Sequence, residues 1–281
     1  LNKAGKYGKN AFDLQGVDYL RWHGDGKTIT AESVNYSITD IKLVVLETEK
    51  PSAIRRNVAF CEAVYNGSHT VEDLTYTLAA DMARAEMLLE KNSIAMLVDP
   101  CCNALEYFKP IAVVDAIIAK KNTGMRIDMA DITVALGPGF EAGKDVHAVV
   151  ETMRGHNLGR VIYSGSAEAN TGVPGAIKGY AKERVIHSPA EGVIRNIRHI
   201  TDTVAVIENN GEITEVKASL DGILRGLIRD GYYVTKGFKI ADIDPRSEEY
   251  DNCFTVSDKA RCIAGGVLEA IMHLKGKHAN D

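Results

Sequence analysis

The densest run of side chains capable of chemistry is Asp145, His147, Glu151, Arg154 and His156, five groups within twelve residues. Imidazoles titrate near neutral pH and carboxylates hold or take protons, so His147, His156, Asp145 and Glu151 are the candidates for acid, base or metal-ligand work. If Val146 to Thr152 is a strand, Asp145, His147, Glu151 and Met153 alternate onto one face. A solvated edge strand with ordinary ion pairs accounts for the same residues, and no spacing among them is diagnostic of a metal site. Just upstream, Leu136-Gly137-Pro138-Gly139-Phe140 follows an apolar run. Gly137 and Gly139 at the end of a buried strand would let backbone N–H groups approach a phosphate or carboxylate, although a tight turn requires the same glycines. The basic pairs Arg55-Arg56 and Lys120-Lys121 fall near predicted strand ends, where an open α/β sheet places an anionic ligand. Cys101-Cys102 follows Asp99-Pro100 and could hold a thiophilic ligand; a plain loop is the favoured reading, since nothing nearby lowers a thiol pKa.

These residues need elements to position them. Ile41 to Glu47 and Ser93 to Val98 read as buried parallel strands, as do Ile111 to Asp115 and Ile132 to Gly137. Pro51 opens a predicted helix with Ala53 to Tyr65 as its body, because the N–H that proline lacks is unpaired in a first turn anyway. A second helix is predicted over Asp81 to Lys91, started by Asp81. Strand, helix and strand at this spacing give a mostly parallel, Rossmann-like α/β sheet over residues 41–180. Val146 to Thr152 and Arg160 to Tyr163 read as further strands, and Gly172 to Gly179 as a linker.

Beyond the linker the chain repeats itself. Residues 188–197, Ser-Pro-Ala-Glu-Gly-Val-Ile-Arg-Asn-Ile, align with residues 218–227, Ala-Ser-Leu-Asp-Gly-Ile-Leu-Arg-Gly-Leu, thirty positions later, and Val204 and Val234 keep the register. Two copies are too few for a solenoid, so a small barrel of two similar halves is expected over residues 181–250. The pattern resembles the barrel-sandwich fold of biotinyl and lipoyl carrier domains. Such carriers modify a lysine at the hairpin tip between the halves, whereas Glu208-Asn209-Asn210-Gly211-Glu212 is a good turn without one. A docking or structural barrel is therefore the reading. Asp258-Lys259-Ala260 matches the modified tripeptide only in sequence, because Ser257 to Leu274 reads as a serine-capped helix within a C-terminal 251–281 segment.

At 281 residues and 45% hydrophobic side chains the chain can bury a core, and its charged fraction of 25% is ordinary for a globular protein. A net charge of -5 gives no basic footprint for nucleic acid. Five cysteines, with no C-x-x-C pair, suit reduced thiols and a cytoplasmic location, and no apolar run reaches the roughly 18 residues of a membrane span. The start at Leu1 suggests a fragment or an incomplete gene start.

Several segments, in order, resemble one family. They include Pro51 to Arg56, Asp115 to Asn122, Gly137 to Phe140 with Asp145 to Ala148, Arg154 to Val161, Gly222 to Leu227, Asp242 to Arg246 and Cys253 to Arg261. Across about residues 41–274 the chain resembles YqeB-type proteins of the selenium-dependent molybdenum hydroxylase system. The resemblance implies an accessory or maturation role for such hydroxylases, with the hydroxylase or its maturation machinery as partner. It implies transient handling of a cofactor, selenium, a nucleotide or a molybdenum-pterin species, and no defined reaction. Cys253 lies in one of the matching segments. A nucleotide-dependent enzyme working through the glycines and His147, and a scaffold docking a partner through its barrel, are the alternatives. Residues 1–40 depart from the family, which opens with a strand and a Gly-Asp-Leu-Ala-Thr-Gly turn. Trp22-His23-Gly24-Asp25-Gly26-Lys27 read one base out of frame permits Gly-Met-Ala-Thr-Gly, so a frameshift or gene-model error is expected there.

Overall fold

The computed structural model describes residues 19–22, 29–32, 42–197 and 203–278. Most of the atypical 1–40 segment, including His23 to Lys27, lies outside them. Within it, β1 (Tyr19–Trp22) and β2 (Ile29–Glu32) form an antiparallel ribbon.

The α/β part is built as two sheets, where a single mostly parallel one was expected. In the first, β3 (Val44–Glu47) precedes a short helix α1 (Ala63–Asn66), β4 (Ser68–Val71) and β5 (Leu74–Leu78); α2 (Met82–Glu90) and β6 (Ile94–Val98) follow. The order is β3-β6-β5-β4, with β3, β6 and β5 parallel and β4 antiparallel at the edge. Asp81 caps α2 by accepting a hydrogen bond from the Arg84 amide at 2.7 Å, and Ala85, Leu88 and Leu89 bury against Ala95 and Leu97. In the second, α3 (Ala104–Phe108) leads into β7 (Ala112–Asp115), β8 (Ile132–Leu136), β9 (Ala148–Val150) and β10 (Val161–Ile162). Here β7, β8 and β9 run parallel and β10 is the antiparallel edge. Every residue of β8 and β9 is buried, so their apolar runs do not alternate.

The predicted helix over Ala53 to Tyr65 is not formed as one piece. Short 3-10 turns occupy Arg56–Val58 and Phe60–Glu62 ahead of α1, and Ala59 is extended at φ −112° and ψ 107°. Tertiary packing overrides the helical pattern. Ile54 lies so close to Gly226 that a Cβ there would come within 2.8 Å of Ile54 Cγ2, and Arg56 Nε donates to the Leu227 carbonyl at 2.9 Å.

After residues 172–179, which carry neither helix nor strand, seven strands form two small antiparallel sheets. They are β11 (Val185–His187), β12 (Gly192–Asn196), β13 (Thr203–Asn209), β14 (Glu212–Lys217), β15 (Ile223–Leu227), β16 (Tyr233–Val234) and β17 (Lys239–Asp244). The sheets β11-β17-β15 and β14-β13-β12-β16 share one core, in which Ile194, Ile207, Ile228, Ile240 and Ile243 are all at most 1% exposed. Burying each such side chain contributes about 1.5–3 kcal/mol. The two copies of the repeat occupy equivalent places. Gly192 and Gly222 enter β12 and β15 at φ +147° and +154°, and a Cβ on either would overlap a carbonyl oxygen of the neighbouring strand, that of Glu208 or of Asp244. The lysine-free turn is a hairpin tip, with Asn210 at φ 48° and Gly211 at φ 87° between β13 and β14.

Asp244, 1% exposed at the end of β17, is the charged centre of this unit. Arg246 holds it with two bonds of 2.9 and 2.8 Å plus its backbone N–H at 3.1 Å, and Arg225 reaches it at 3.3 Å. Burial pushes this carboxyl up, but the two guanidiniums outweigh burial and hold it below the usual range.

The C-terminal helix α4 (Asp258–His278) then returns to the second parallel sheet, where Ile263, Ala270 and Leu274 cover Ile132, Val134 and Val150. The Ser257 hydroxyl accepts from the Ala260 amide at 3.2 Å, the predicted cap. Among the described residues no helix is long and apolar enough to cross a membrane.

Two adjacent glycines of α4 should respond oppositely to alanine. Gly265 is exposed with open space around its missing Cβ, so Gly265→Ala should gain up to about 1 kcal/mol from helix propensity. Gly266 is buried with its missing Cβ directed at the Gly159 carbonyl oxygen and 2.8 Å from Val150 Cγ1, so Gly266→Ala should lose about 2–3 kcal/mol. Urea midpoints of the two variants check both signs. Arg246→Met should cost about 3–5 kcal/mol by leaving Asp244 with only its longer bond to Arg225. The Asp244 contribution is present above the unfolded carboxyl pKa of 3.8 and fades as pH falls through the lowered folded value. The stability difference between wild type and Arg246→Met, followed by urea titration, should therefore shrink only in strong acid.

Candidate functional site

The carboxyl ends of the three parallel strands β7, β8 and β9 lie side by side, since Asp115 pairs with Ala135 and Leu136 with Val150. Each strand delivers a polar or glycine segment there. Gly137 extends the ladder by donating its N–H to Val150 O at 2.9 Å, at φ +76°, and a Cβ on it would come within 2.5 Å of Thr152 Oγ1. Gly139, at φ +106°, turns the chain against the loop after β7, where a Cβ would come within 2.5 Å of Lys121 Cα and 2.6 Å of its N. The sequence-predicted Gly137, Gly139, Lys120 and Lys121 are thus brought together by direct backbone packing.

Helix α4 adds a residue that sequence reasoning set aside. Lys259, in its first turn, is half-buried and within electrostatic reach of Arg154, Lys120 and Glu151. Desolvation first, then Arg154 and Lys120, hold its ammonium below the usual lysine range. A signal was present, since Lys259 follows the serine cap of a long helix, but nothing in the sequence said which loop that helix end would meet.

The carboxylates around these cations are already engaged. Asp115 accepts from the Ile117 amide at 3.0 Å. Glu151, 3% exposed, accepts from the amides of Thr152 and Met153 at 2.7 Å each and of Glu168 at 2.8 Å, which staples three loop positions together. Asp258 takes a two-bond grip from Arg154 at 2.8 and 2.9 Å, and its carboxyl is held well below the usual range by that guanidinium and by the Lys259 amide. Among the described residues Lys120, Lys121 and Lys259 make no ion pair. The result is a turn of closely packed backbone beside lysines that make no ion pair among the described residues, although Glu151 and Asp258 lie within electrostatic reach of Lys259, an arrangement suited to holding an anion.

The other predicted residues are placed elsewhere. Asp145 and His147 precede β9, at its amino end, while Glu151 follows its carboxyl end, so the single face expected of Asp145, His147, Glu151 and Met153 is not formed. His147 and Glu151, four residues apart along extended chain, are separated by roughly 13 Å. His147 Nδ1 lies 2.8 Å from Thr133 Oγ1 and accepts from the Thr133 amide at 3.1 Å; Asp145 accepts from the Glu141 amide at 2.9 Å. His156 is exposed in the loop between β9 and β10. Arg55 and Arg56, in the segment that follows β3, lie against β15, where Arg56 Nε donates to the Leu227 carbonyl. Cys101 and Cys102 form the turn before α3, where Asp99 accepts from the Ala104 amide at 2.7 Å, and burial pushes the Cys102 thiol up. Among the described residues no group of three or more His, Cys, Asp or Glu side chains could hold a metal ion.

No protein-family model matches the chain. It is 52% identical over 255 residues to a protein of Escherichia coli strain K12 described as uncharacterized protein YqeB. That match takes in 89% of this chain and 47% of the relative, so the chain spans about half the length of the protein it resembles. Over most of its own length the chain is thus a relative of YqeB, and the resemblance carried by its ordered motifs is supported by that match.

Proposed function

We propose that this chain binds the phosphate end of a nucleotide, or of a molybdenum-pterin nucleotide, at the carboxyl ends of β7, β8 and β9. It would do so as an accessory protein in the maturation of a selenium-dependent molybdenum hydroxylase. The observation that carries the binding half is that Lys120, Lys121 and Lys259 make no ion pair among the described residues, with the Lys120–Lys121 backbone packed on the Gly139 turn and Lys259 within electrostatic reach of Lys120, while Asp115, Glu151 and Asp258 are engaged by amides or by Arg154. A phosphate relieves the mutual repulsion of Lys120 and Lys259 and accepts from backbone N–H groups that glycine lets it approach. The maturation half is supported by the resemblance to YqeB-type proteins and by the identity to one of them. In this reading the partner is the hydroxylase or its maturation machinery, nucleic acid is not one, and the setting is cytoplasmic.

Two structural readings belong with the proposal. The parallel strands are those of a Rossmann-like sheet split in two, and the two-sheet unit is a lipoyl-like barrel-sandwich used for docking, consistent with its lysine-free hairpin tip. An acid–base enzyme centred on His147 is less well supported, because Asp145 and His147 sit at the amino end of β9, away from the glycine turn.

Calorimetric titration with ADP and with NAD, used as probes of the phosphate site, checks the binding half. Lys259→Met should weaken either probe by about 1.5–2 kcal/mol, roughly ten- to thirtyfold in Kd. Gly139→Val should weaken binding at least as much by pushing the turn off Lys121. An anion favours charged Lys259 and so raises its lowered pKa; affinity should be full below the folded value and decline as pH rises through it, before 10.5. Lys259→Arg should flatten that decline. Wild-type protein that binds neither probe, or binds as tightly after Lys259→Met, defeats the assignment. For the maturation half, deletion of the gene in a host with such a hydroxylase should lower that enzyme's activity and its content of molybdenum, selenium or pterin.

A further inference from the structure

A second cluster of basic side chains lies at the seam between the Ile54–Arg56 segment and β15. The contact of Ile54 with Gly226 sets Arg55 beside Arg225, and the bond from Arg56 Nε to the Leu227 carbonyl fixes the segment across the strand. Arg55 Nη2 donates to the Asn252 carbonyl at 3.1 Å, but its Nε is enclosed without a hydrogen-bond partner and no carboxylate pairs with Arg55 among the described residues. Arg225 is compensated weakly, because its one side-chain bond among the described residues is the 3.3 Å one to Asp244, whose two oxygens already receive Arg246 at 2.9 and 2.8 Å. Asp242 is directed to Arg184 at 3.5 Å. Burial and the Arg225 charge disfavour the charged form of Arg55 and outweigh the opposing pull of Asp242, Asp244 and Cys253. Cys253, 5% exposed and next in the chain to the Asn252 that Arg55 contacts, completes the wall.

An enclosed guanidinium N–H without an acceptor, with a second guanidinium alongside and the nearby carboxylates Asp242 and Asp244 already bonded to other arginines, is an arrangement that a further acceptor stabilises. The donors are the planar forks that match tetrahedral oxyanions by paired bonds. We infer that Arg55 and Arg225 form a second anion site, distinct from the strand-end turn, which takes a phosphate- or sulfate-type group beside Asn252 and Cys253, at the edge of the contact between the Ile54–Arg56 segment and β15. The oxyanion is either free in solution or part of a larger phosphorylated molecule.

The test uses the full chain, titrated with sodium phosphate and sodium sulfate against sodium chloride at matched ionic strength. Phosphate should raise the melting temperature saturably where chloride does not, and Arg55→Ala and Arg225→Ala should each weaken that effect at least tenfold. Lys259→Met should leave it in place, which separates this site from the strand-end turn. ADP in place of phosphate distinguishes the sources: competition between the two at the Arg55 site marks a phosphorylated molecule as the occupant, and phosphate effects that ADP leaves unchanged mark the free ion. If Arg55→Ala fails to fold, Arg55→Lys keeps the charge but removes the Nε–H and should show an intermediate loss. In the wild type, phosphate should also slow alkylation of Cys253, read by peptide mapping. A phosphate response no different from chloride, one undiminished in Arg55→Ala or in Arg55→Lys, or a Cys253 alkylation rate that phosphate leaves unchanged would overturn the site.

Discussion

The buried carboxylate of Asp244 constrains more of this molecule than any other single group. It closes β17 opposite Ile223, and its carbonyl oxygen faces the glycine that opens β15. An ionised carboxylate at 1% exposure costs several kcal/mol unless it is both paired and hydrogen-bonded. Arg246 supplies most of that compensation and Arg225 the remainder. The arginines that neutralise it are partly covered in turn, and Arg184, 5% exposed, lies nearby, donating to Ile243 O at 3.0 Å and pairing with Asp242 at 3.5 Å. One buried negative charge thus gathers guanidiniums on the side of the two-sheet unit that meets the Ile54–Arg56 segment. The seam there is polar by necessity, since it borders a charge that cannot be left alone.

Elsewhere the structure depends on backbones approaching closely. Gly266 lets α4 settle on the loop between β9 and β10, and Gly139 lets the turn after β8 lie on Lys121. In both places a side chain would hold the partner away by at least the width of a methyl group, and the interior is too dense to absorb that. Since α4 carries Lys259 and the Gly139 turn carries the neighbouring backbone, the two close approaches set where the lysines stand relative to one another. Positioning at this site is therefore a packing property of glycines several residues away from the charges.

Much of the fold was legible in the sequence because it rests on local signals. Asp81 and Ser257 cap the helices they were expected to start, and the apolar runs at Val44, Ile94, Ala112 and Ile132 are strands. The thirty-residue repeat was informative because its glycines answer to one physical demand, entry into a strand against a neighbouring carbonyl. What was not legible is non-local. The stretch from Ala53 to Tyr65 has a helical pattern, and only β15, some 170 residues later, holds Ile54 and Arg56 against it and breaks the stretch into short turns. The same is true of the candidate site. Gly137, Gly139, Lys120 and Lys121 could be picked out by type and placed by strand ends. By contrast, the grouping of Asp145 and His147 with Glu151 assumed that closeness in sequence meant one face, and β9 is short, buried on both sides and separates them. Lys259 was hidden for the opposite reason, being distant in sequence and brought in by a helix whose docking depends on the fold.

The first turn of α4 is held by ion pairs to two different loops. Arg261 pairs with Glu72 in the turn between β4 and β5 at 2.7 Å, and the Val256 amide donates to the same carboxylate at 2.9 Å. Asp258 is gripped by Arg154 from the loop after β9. The carboxylates Glu72, Glu151 and Asp258 at this helix end are each engaged by an arginine or an amide. The ammonium groups are not spent in the same way. A molecule that engages its acids in structure and leaves its bases uncompensated is organised to hold an anion in place, and such a site needs a rigid helix end more than it needs a titrating residue. That division between engaged acids and unengaged bases is the physical reason for reading the strand ends as a place of binding ahead of a place of proton transfer.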